Sequence, residues 1–326
     1  GLAAAGPALA SLLDEVRTRG ILRCGVTPLG ESLTWQNLDG RFVGFYPDIC
    51  RAIAAAVVKD PESVDFVLVG TTNRFEAIGS PALDVLVEAT TWTLSRETGL
   101  GLTFTAPYLF DGQAFLVNRK RGFTSVADLK GTPVCVEGDS TSLDNLKAYN
   151  TAKGLDLKIM EFLTIEAAFT ALAERRCDAA STDFTILASV MRALAADPGE
   201  FTLLPEIISK EPLAPVVRSG DARWAAAVRW TVFALLEAEE LGITAANADT
   251  LRATGSAAQR RFLGGTPGAG EPLGLDDDWA WRAVKAVGNY GEVFDRNLGT
   301  GSPMKLPRGK NALWRDGGLL WAPPVR

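Results

Sequence analysis

The chain has 326 residues, 47% of them hydrophobic, with a formal net charge of −6 and no histidine. The acidic balance leaves no basic surplus to neutralise phosphates, which argues against nucleic-acid and anionic-membrane partners; Arg119-Lys120-Arg121 reads as a solvated turn. Without histidine there is no Ser-His or Cys-His nucleophile pair and no His-ligated zinc.

The length suits two domains or one large one. Cys24, Cys50, Cys135 and Cys177 are too widely spaced for a zinc site and read as two disulfides, hence an oxidising compartment. No apolar run reaches the roughly 20 residues of a membrane span. The opening Gly1-Leu-Ala-Ala-Ala-Gly-Pro-Ala-Leu-Ala10 lacks an initiator Met and the basic region of a signal peptide, and reads as a mature or trimmed start.

In chain order, a short helix (11–19) precedes a strand over Ile21 to Val26, then a hairpin turning at Asp39-Gly40 before Phe42 to Phe45. Ile49, Ile53 and Val57 at four-residue spacing predict a helix over 47–58. A strand over 64–69, a short helix over 73–78 and the strand Val85-Leu86-Val87 complete a βαβαβ plan, which implies a parallel sheet with covering helices.

Directly after Val87 the chain turns polar, with Glu88, Thr90, Thr91, Thr93, Ser95 and Arg96. Groups just beyond the carboxyl ends of strands line the crevice of open α/β sheets. Hydroxyls and one guanidinium there are suited to a carboxylate, the alternative being a Thr/Ser-rich surface loop.

The middle of the chain repeats the plan: strand 132–136, helix 142–149, strand 157–160, helix 165–173, then Cys177 to Ala180 entering a third strand that ends in Ser181-Thr182-Asp183. One cysteine lies on the first strand of each half and another nearby, so the economical pairing is Cys24–Cys50 and Cys135–Cys177. Two halves with polar strand ends suggest two lobes facing across a cleft, linked near Phe110 to Gln113 and near Ile207 to Ala214. Phe115 to Val117 and Pro215 to Val217 flank those crossings and suggest a hinge of two antiparallel strands. A long amphipathic helix follows over 223–240, with Trp224, Val228, Val232 and Leu235 on one stripe. From Gly264 the chain is rich in loops, apart from a helix over 279–287.

Four segments carry a resemblance: Thr90-Thr-Trp-Thr-Leu-Ser-Arg-Glu-Thr-Gly-Leu-Gly-Leu102, Leu204-Pro-Glu-Ile-Ile-Ser-Lys-Glu-Pro-Leu213, Glu239-Glu-Leu-Gly-Ile-Thr244, and the tail with Ala286-Val-Gly-Asn-Tyr-Gly-Glu292 and Ala322-Pro-Pro-Val-Arg326. With these the chain resembles the periplasmic amino-acid-binding proteins of ABC importers, of the general L-amino-acid type, from about Leu12 to Arg326. The resemblance implies an α/β fold of two Rossmann-like lobes joined by a two-strand hinge, the type II periplasmic-binding-protein fold, with a loop-rich C-terminal extension. It implies lobe one over 1–111, lobe two over 112–210, and a return to lobe one over 211–326.

The same resemblance assigns roles. Thr91 and Arg96 would hold a ligand α-carboxylate from lobe one, joined by Ser140 and Thr141 at a helix N-terminus in lobe two. Asp183 would accept the α-ammonium, and Phe75 would pack on the ligand side chain with Arg74 beside it. The bland alternatives are Phe75 as core and Asp183 as a helix N-cap. Departures from the pattern fall near the expected cleft: Glu88-Ala89 stands for Arg-Asn before Thr90-Thr91, Asp139 for Gly, Leu33 for an aromatic, and Tyr46-Pro47 for Asp after Gly44-Phe45.

The expected function is a periplasmic, monomeric solute receptor that binds an amino acid or analogue by lobe closure and docks on a membrane permease. No cofactor, metal or catalytic residue is expected. Glu88 and Asp139 are expected to disfavour acidic ligands, Asp139 by capping the helix near Ser140; the alternative is Glu88 paired with Arg74 and Asp139 turned to solvent. Runner-up functions are a dehydratase on the same fold, with Glu88 or Asp139 as general acid or base, and a ligand-sensing receptor.

Overall fold

The computed structural model describes residues 11–191, 194 and 199–325. Residues 1–10, the stretch expected as a trimmed start, and Arg326 lie outside the described residues.

The strands of the first lobe and the crossing out of it are β1 (Leu22–Val26), β2 (Trp35–Gln36), β3 (Phe42–Val43), β4 (Val64–Leu68), β5 (Val85–Leu86), β6 (Leu102–Phe104) and β7 (Leu109–Asp111). Those that follow are β8 (Gln113–Asn118), β9 (Pro133–Glu137), β10 (Lys158–Phe162), β11 (Ala179–Asp183), β12 (Phe201–Leu203), β13 (Glu211–Leu213) and β14 (Val216–Arg218). One sheet has the order β4-β1-β5-β14-β6 and the other β10-β9-β11-β8-β12. In each, the three strands of the βαβαβ plan are parallel, and the strand that re-enters from the other crossing joins antiparallel, β14 beside β5 and β8 beside β11.

The hinge is an antiparallel pair, β7 with β13, made by the crossings themselves: Leu109 faces Leu213 and Asp111 faces Glu211. The segments that had suggested it, 115–117 and 215–217, belong instead to the lobe sheets through β8 and β14. They are the more apolar pieces, so the buried sheets claim them, and the half-polar crossings are left to span the lobes.

The helix Phe45–Val58 is buried on all sides, as its Ala- and Ile-rich sequence requires. It shares the largest core with the helices Ala222–Glu240, Trp279–Val287 and Tyr290–Asn297. Arg282 donates to the carbonyls of Ala55 (2.9 Å) and Ala56 (3.0 Å), satisfying the open C-terminal turn of that helix. The extension therefore packs on lobe one, and it also reaches the hinge: Asn311 accepts from Phe110 N (2.6 Å) and donates to Phe110 O (3.1 Å). Both expected disulfides form, Cys24–Cys50 and Cys135–Cys177, one in each lobe. Among the described residues no helix is long and apolar enough to cross a membrane.

Candidate functional site

Two cavities lie where the lobes meet. One, about 240 Å³, takes walls from lobe one (Arg74, Glu88, Ala89) and lobe two (Glu137, Asp183). The other, about 510 Å³, is lined by Phe75, Arg96, Asp139 and Asn145. Ser140 and Thr141 line both.

On lobe one the polar run after β5 folds back on itself. Arg74 Nη1 contacts Glu88 Oε1 at 2.9 Å, with both side chains buried, and Thr90 Oγ1 donates to the same oxygen. The Glu88 carbonyl accepts from Tyr108 OH at 2.6 Å. Thr90 is thus consumed in holding Glu88 and lines neither cavity. Thr93 caps the short helix Leu94–Gly99, which fixes Arg96 in its first turn. Arg96 Nη1 donates to Thr91 O at 2.9 Å, and the Phe75 ring lies within 5.1 Å of the Arg96 guanidinium and 4.9 Å of that of Arg74. Burial, and then the neighbouring Arg74 charge, bring the Arg96 pKa down to about 10, so an incoming anion would relieve this group. Phe75 is half-buried, packing on a lobe-one cluster while its ring bears on two cations.

On lobe two, Ser140 caps the helix Thr141–Lys153, its Oγ accepting from Leu143 N at 3.2 Å. Asp139 does not do so, contrary to expectation: it is exposed and has φ +51°. The left-handed backbone that suits Gly at this position turns the Asp139 side chain away from the helix end. Asp183, the last residue of β11, precedes the helix Phe184–Val190 but makes no capping bond. Its carboxylate is buried in the cavity wall with no hydrogen-bond partner among the described residues. Burial pushes its pKa well above the usual carboxylate range, and the charges of Asp111, Glu211 and Glu88 push the same way against Arg74.

The hinge supplies two acids that sequence reasoning missed. Asp111 and Glu211 are direct cross-strand partners. Like charges in that relation are destabilising, and here each carboxylate is held by its own hydrogen-bond donors. Asp111 accepts from Thr185 N (3.2 Å) and Thr185 Oγ1, and burial raises its pKa to about 6. Glu211 accepts from Thr91, Thr141, Asn145 and Ser209. Also missed was Glu137, at the carboxyl end of β9, where burial raises the pKa to about 7 although Thr71 of the facing lobe lowers it. Its place at a parallel strand end was the available signal.

Two expected departures lie elsewhere. Leu33 and Tyr46 are fully buried, with Tyr46 N donating to Leu33 O at 3.1 Å, and neither lines a cavity. Tyr46 packs on Phe45 and Tyr108, so an aromatic fills core space beneath the cleft.

Residues 22–242 match the model of the bacterial extracellular solute-binding proteins, family 3. The general L-amino acid-binding periplasmic protein of Rhizobium johnstonii is 41% identical over 99% of this chain and 95% of its own length. The glutamate/glutamine/aspartate/asparagine-binding protein of Rhodobacter capsulatus is 43% identical over 99% and 95%. Among solved structures, a periplasmic binding protein from Brucella ovis with glutathione bound superimposes with a TM-score of 0.94, at 44% identity, covering 97% of this chain and 100% of that one.

Proposed function

The chain belongs to the bacterial extracellular solute-binding proteins of family 3, and we propose that it is a periplasmic receptor of an ABC importer, binding an amino acid or a close analogue between its lobes. The observation that carries this reading is the unpartnered, buried carboxylate of Asp183 in one cavity wall, set against the buried guanidinium of Arg96 in the adjoining one. A zwitterion answers both deficits: an ammonium offsets the anionic surroundings of Asp183, and a carboxylate offsets the crowded cations at Arg96. Each charge comes from a different lobe, so the ligand binds the closed arrangement better than the open one, which is what couples binding to closure. The permease would then meet the closed form.

The ligand's side group is read from the remaining charges. Glu88 is paired with Arg74, while Asp139, though exposed, stands in the wall of the cavity that Arg96 lines and adds a negative charge there. Around Asp183, Asp111, Glu211 and Glu88 add negative charge, against the cations Arg74 and Arg96. Neutral or cationic side groups are therefore held more tightly than acidic ones. Calorimetry with L-glutamine, L-lysine, L-glutamate and glutathione tests both statements; glutathione is included because the Brucella protein carries it. Micromolar binding of L-glutamine or L-lysine supports the receptor, and glutamate binding as tightly as either overturns the preference.

A second reading, an enzyme on the same fold, draws on Glu137, whose raised pKa of about 7 is what a general acid requires. Glu88 is ion-paired with Arg74 and Asp139 is exposed, so Glu137 is the residue this reading turns on. Turnover of a dehydratable cyclohexadienyl acid, lost in Glu137→Gln, would establish that reading in place of the receptor.

A further inference from the structure

Glu211 joins three parts of the molecule through one carboxylate. It opens β13 on the hinge and is buried. Its Oε2 accepts from Thr91 Oγ1 of lobe one at 2.5 Å and from Thr141 Oγ1 of lobe two at 3.3 Å. Its Oε1 accepts from Asn145 Nδ2 at 2.8 Å, on the same lobe-two helix, and from Ser209 Oγ at 2.5 Å. One oxygen reaches both threonines only while the lobes are held together as here.

A carboxylate has no proton to give, so all four partners must donate. A threonine hydroxyl has a single proton, and in Thr91 and Thr141 that proton points at Glu211. What these hydroxyls can still offer is lone pairs. We propose that Glu211 is a positioning residue that sets the hydrogen-bond polarity of the ligand site: Thr91, which lines neither cavity, ties it to lobe one, and Thr141, which lines both, is turned into an acceptor toward the ligand. Thr141 then favours a donor group, an ammonium, and the ligand carboxylate is left to Arg96 and backbone N–H groups. The arrangement extends the donor-seeking surface from Asp183 to the start of the helix Thr141–Lys153, and the link through Glu211 to Thr91 of lobe one exists only while the lobes meet. This inference rests on the cleft being the amino-acid site.

The test separates the two ends of one ligand. Competition calorimetry against L-glutamine uses glutaramate, which lacks the ammonium, and 4-aminobutanamide, which lacks the carboxylate. Thr141→Val is expected to weaken 4-aminobutanamide by about tenfold while changing glutaramate less than about threefold. Glu211→Gln is expected to shift the preference between the analogues toward glutaramate, because its amide N–H₂ can donate where Oε2 accepted and so release a threonine proton to the cleft. In Glu211→Gln/Thr141→Val that shift should shrink, since the released proton is gone. Equal losses for both analogues in Thr141→Val, or a larger loss for glutaramate, would overturn the proposal. So would an undiminished shift in the double variant, which would make it an effect of charge alone. If Glu211→Gln does not fold, the Thr141→Val comparison decides. Wild-type protein that ignores L-glutamine but binds L-lysine is tested with the corresponding lysine analogues, 6-aminohexanoate and cadaverine. Failure to bind any amino acid overturns the receptor reading and this inference with it.

Discussion

At the scale of single residues, the site divides into charges that are already answered and charges that are not. Glu88 and Arg74 answer one another in a buried pair, so removing one partner strands the other. Glu88→Ala should cost about 3–5 kcal/mol in a denaturant melt, whereas replacing both by apolar residues of similar volume should cost much less. Arg96 and Asp183 are the unanswered pair. For a zwitterionic ligand, Arg96→Ala and Asp183→Ala should each weaken binding by about 2–4 kcal/mol; a calorimetric affinity within threefold of wild type would remove that residue from the site. Arg96, Ser140, Thr141 and Asp183 could be picked out as candidates because they stand at strand ends or beside a helix start, and the structure places all four on the walls of the two cavities. Asp111 and Glu211 could not, because an acidic residue on a short strand looks like any solvated edge until the fold sets the two opposite each other. Asp139 was misread for a related reason: sequence order placed it before a helix, but its left-handed backbone decides where the carboxylate goes.

At the scale of elements, the repeated βαβαβ plan was readable because buried parallel strands are short, unbroken apolar runs. Strands such as β6 and β12 and the helices Ala248–Thr254 and Ala257–Phe262 carry no comparable periodicity; packing against their neighbours creates them. The two disulfides staple the first strand of each lobe. They close loops of 26 and 42 residues, and each should contribute about 3–4 kcal/mol by restricting the unfolded chain. Cys135→Ser/Cys177→Ser should lose about that much in urea melts, and an unchanged midpoint would show that the bond adds nothing. The extension, to which sequence alone gave no chemistry, has a mechanical place. Asn311 holds both polar groups of Phe110 on β7, so Asn311→Ala should raise amide exchange at the hinge before it lowers global stability.

At the scale of the whole molecule, the cleft couples closure to proton binding as well as to ligand. Asp111 with a pKa of about 6 and Glu137 with a pKa of about 7 are raised by burial, as is Asp183, so the folded protein binds protons that the unfolded chain releases at lower pH. Their contribution to stability is present below pH 4 and is lost as pH rises through 6 to 7. A ligand ammonium works in the other direction, favouring the ionised forms, so binding should release protons and weaken by about tenfold between pH 7.5 and 5; affinity flat over that range would count against an ammonium beside these acids. Closure itself can be opposed without touching a charge. Gly30 of lobe one abuts Ser189 of lobe two, and a Cβ on Gly30 would lie 2.4 Å from Ser189 Oγ but an ordinary 3.5 Å from Ser189 Cβ. Gly30→Ala therefore carries two penalties: backbone strain at φ +93°, which lowers stability in any lobe arrangement, and a clash that exists only when the lobes meet. Ser189→Ala relieves the second and leaves the first. Gly30→Ala should thus bind its ligand at least about tenfold more weakly and scatter X-rays at small angles as a more extended particle. Adding Ser189→Ala should restore affinity and compactness while the melting temperature stays low. If affinity and melting temperature fall and recover together, the contact is part of the folded core and does not report closure.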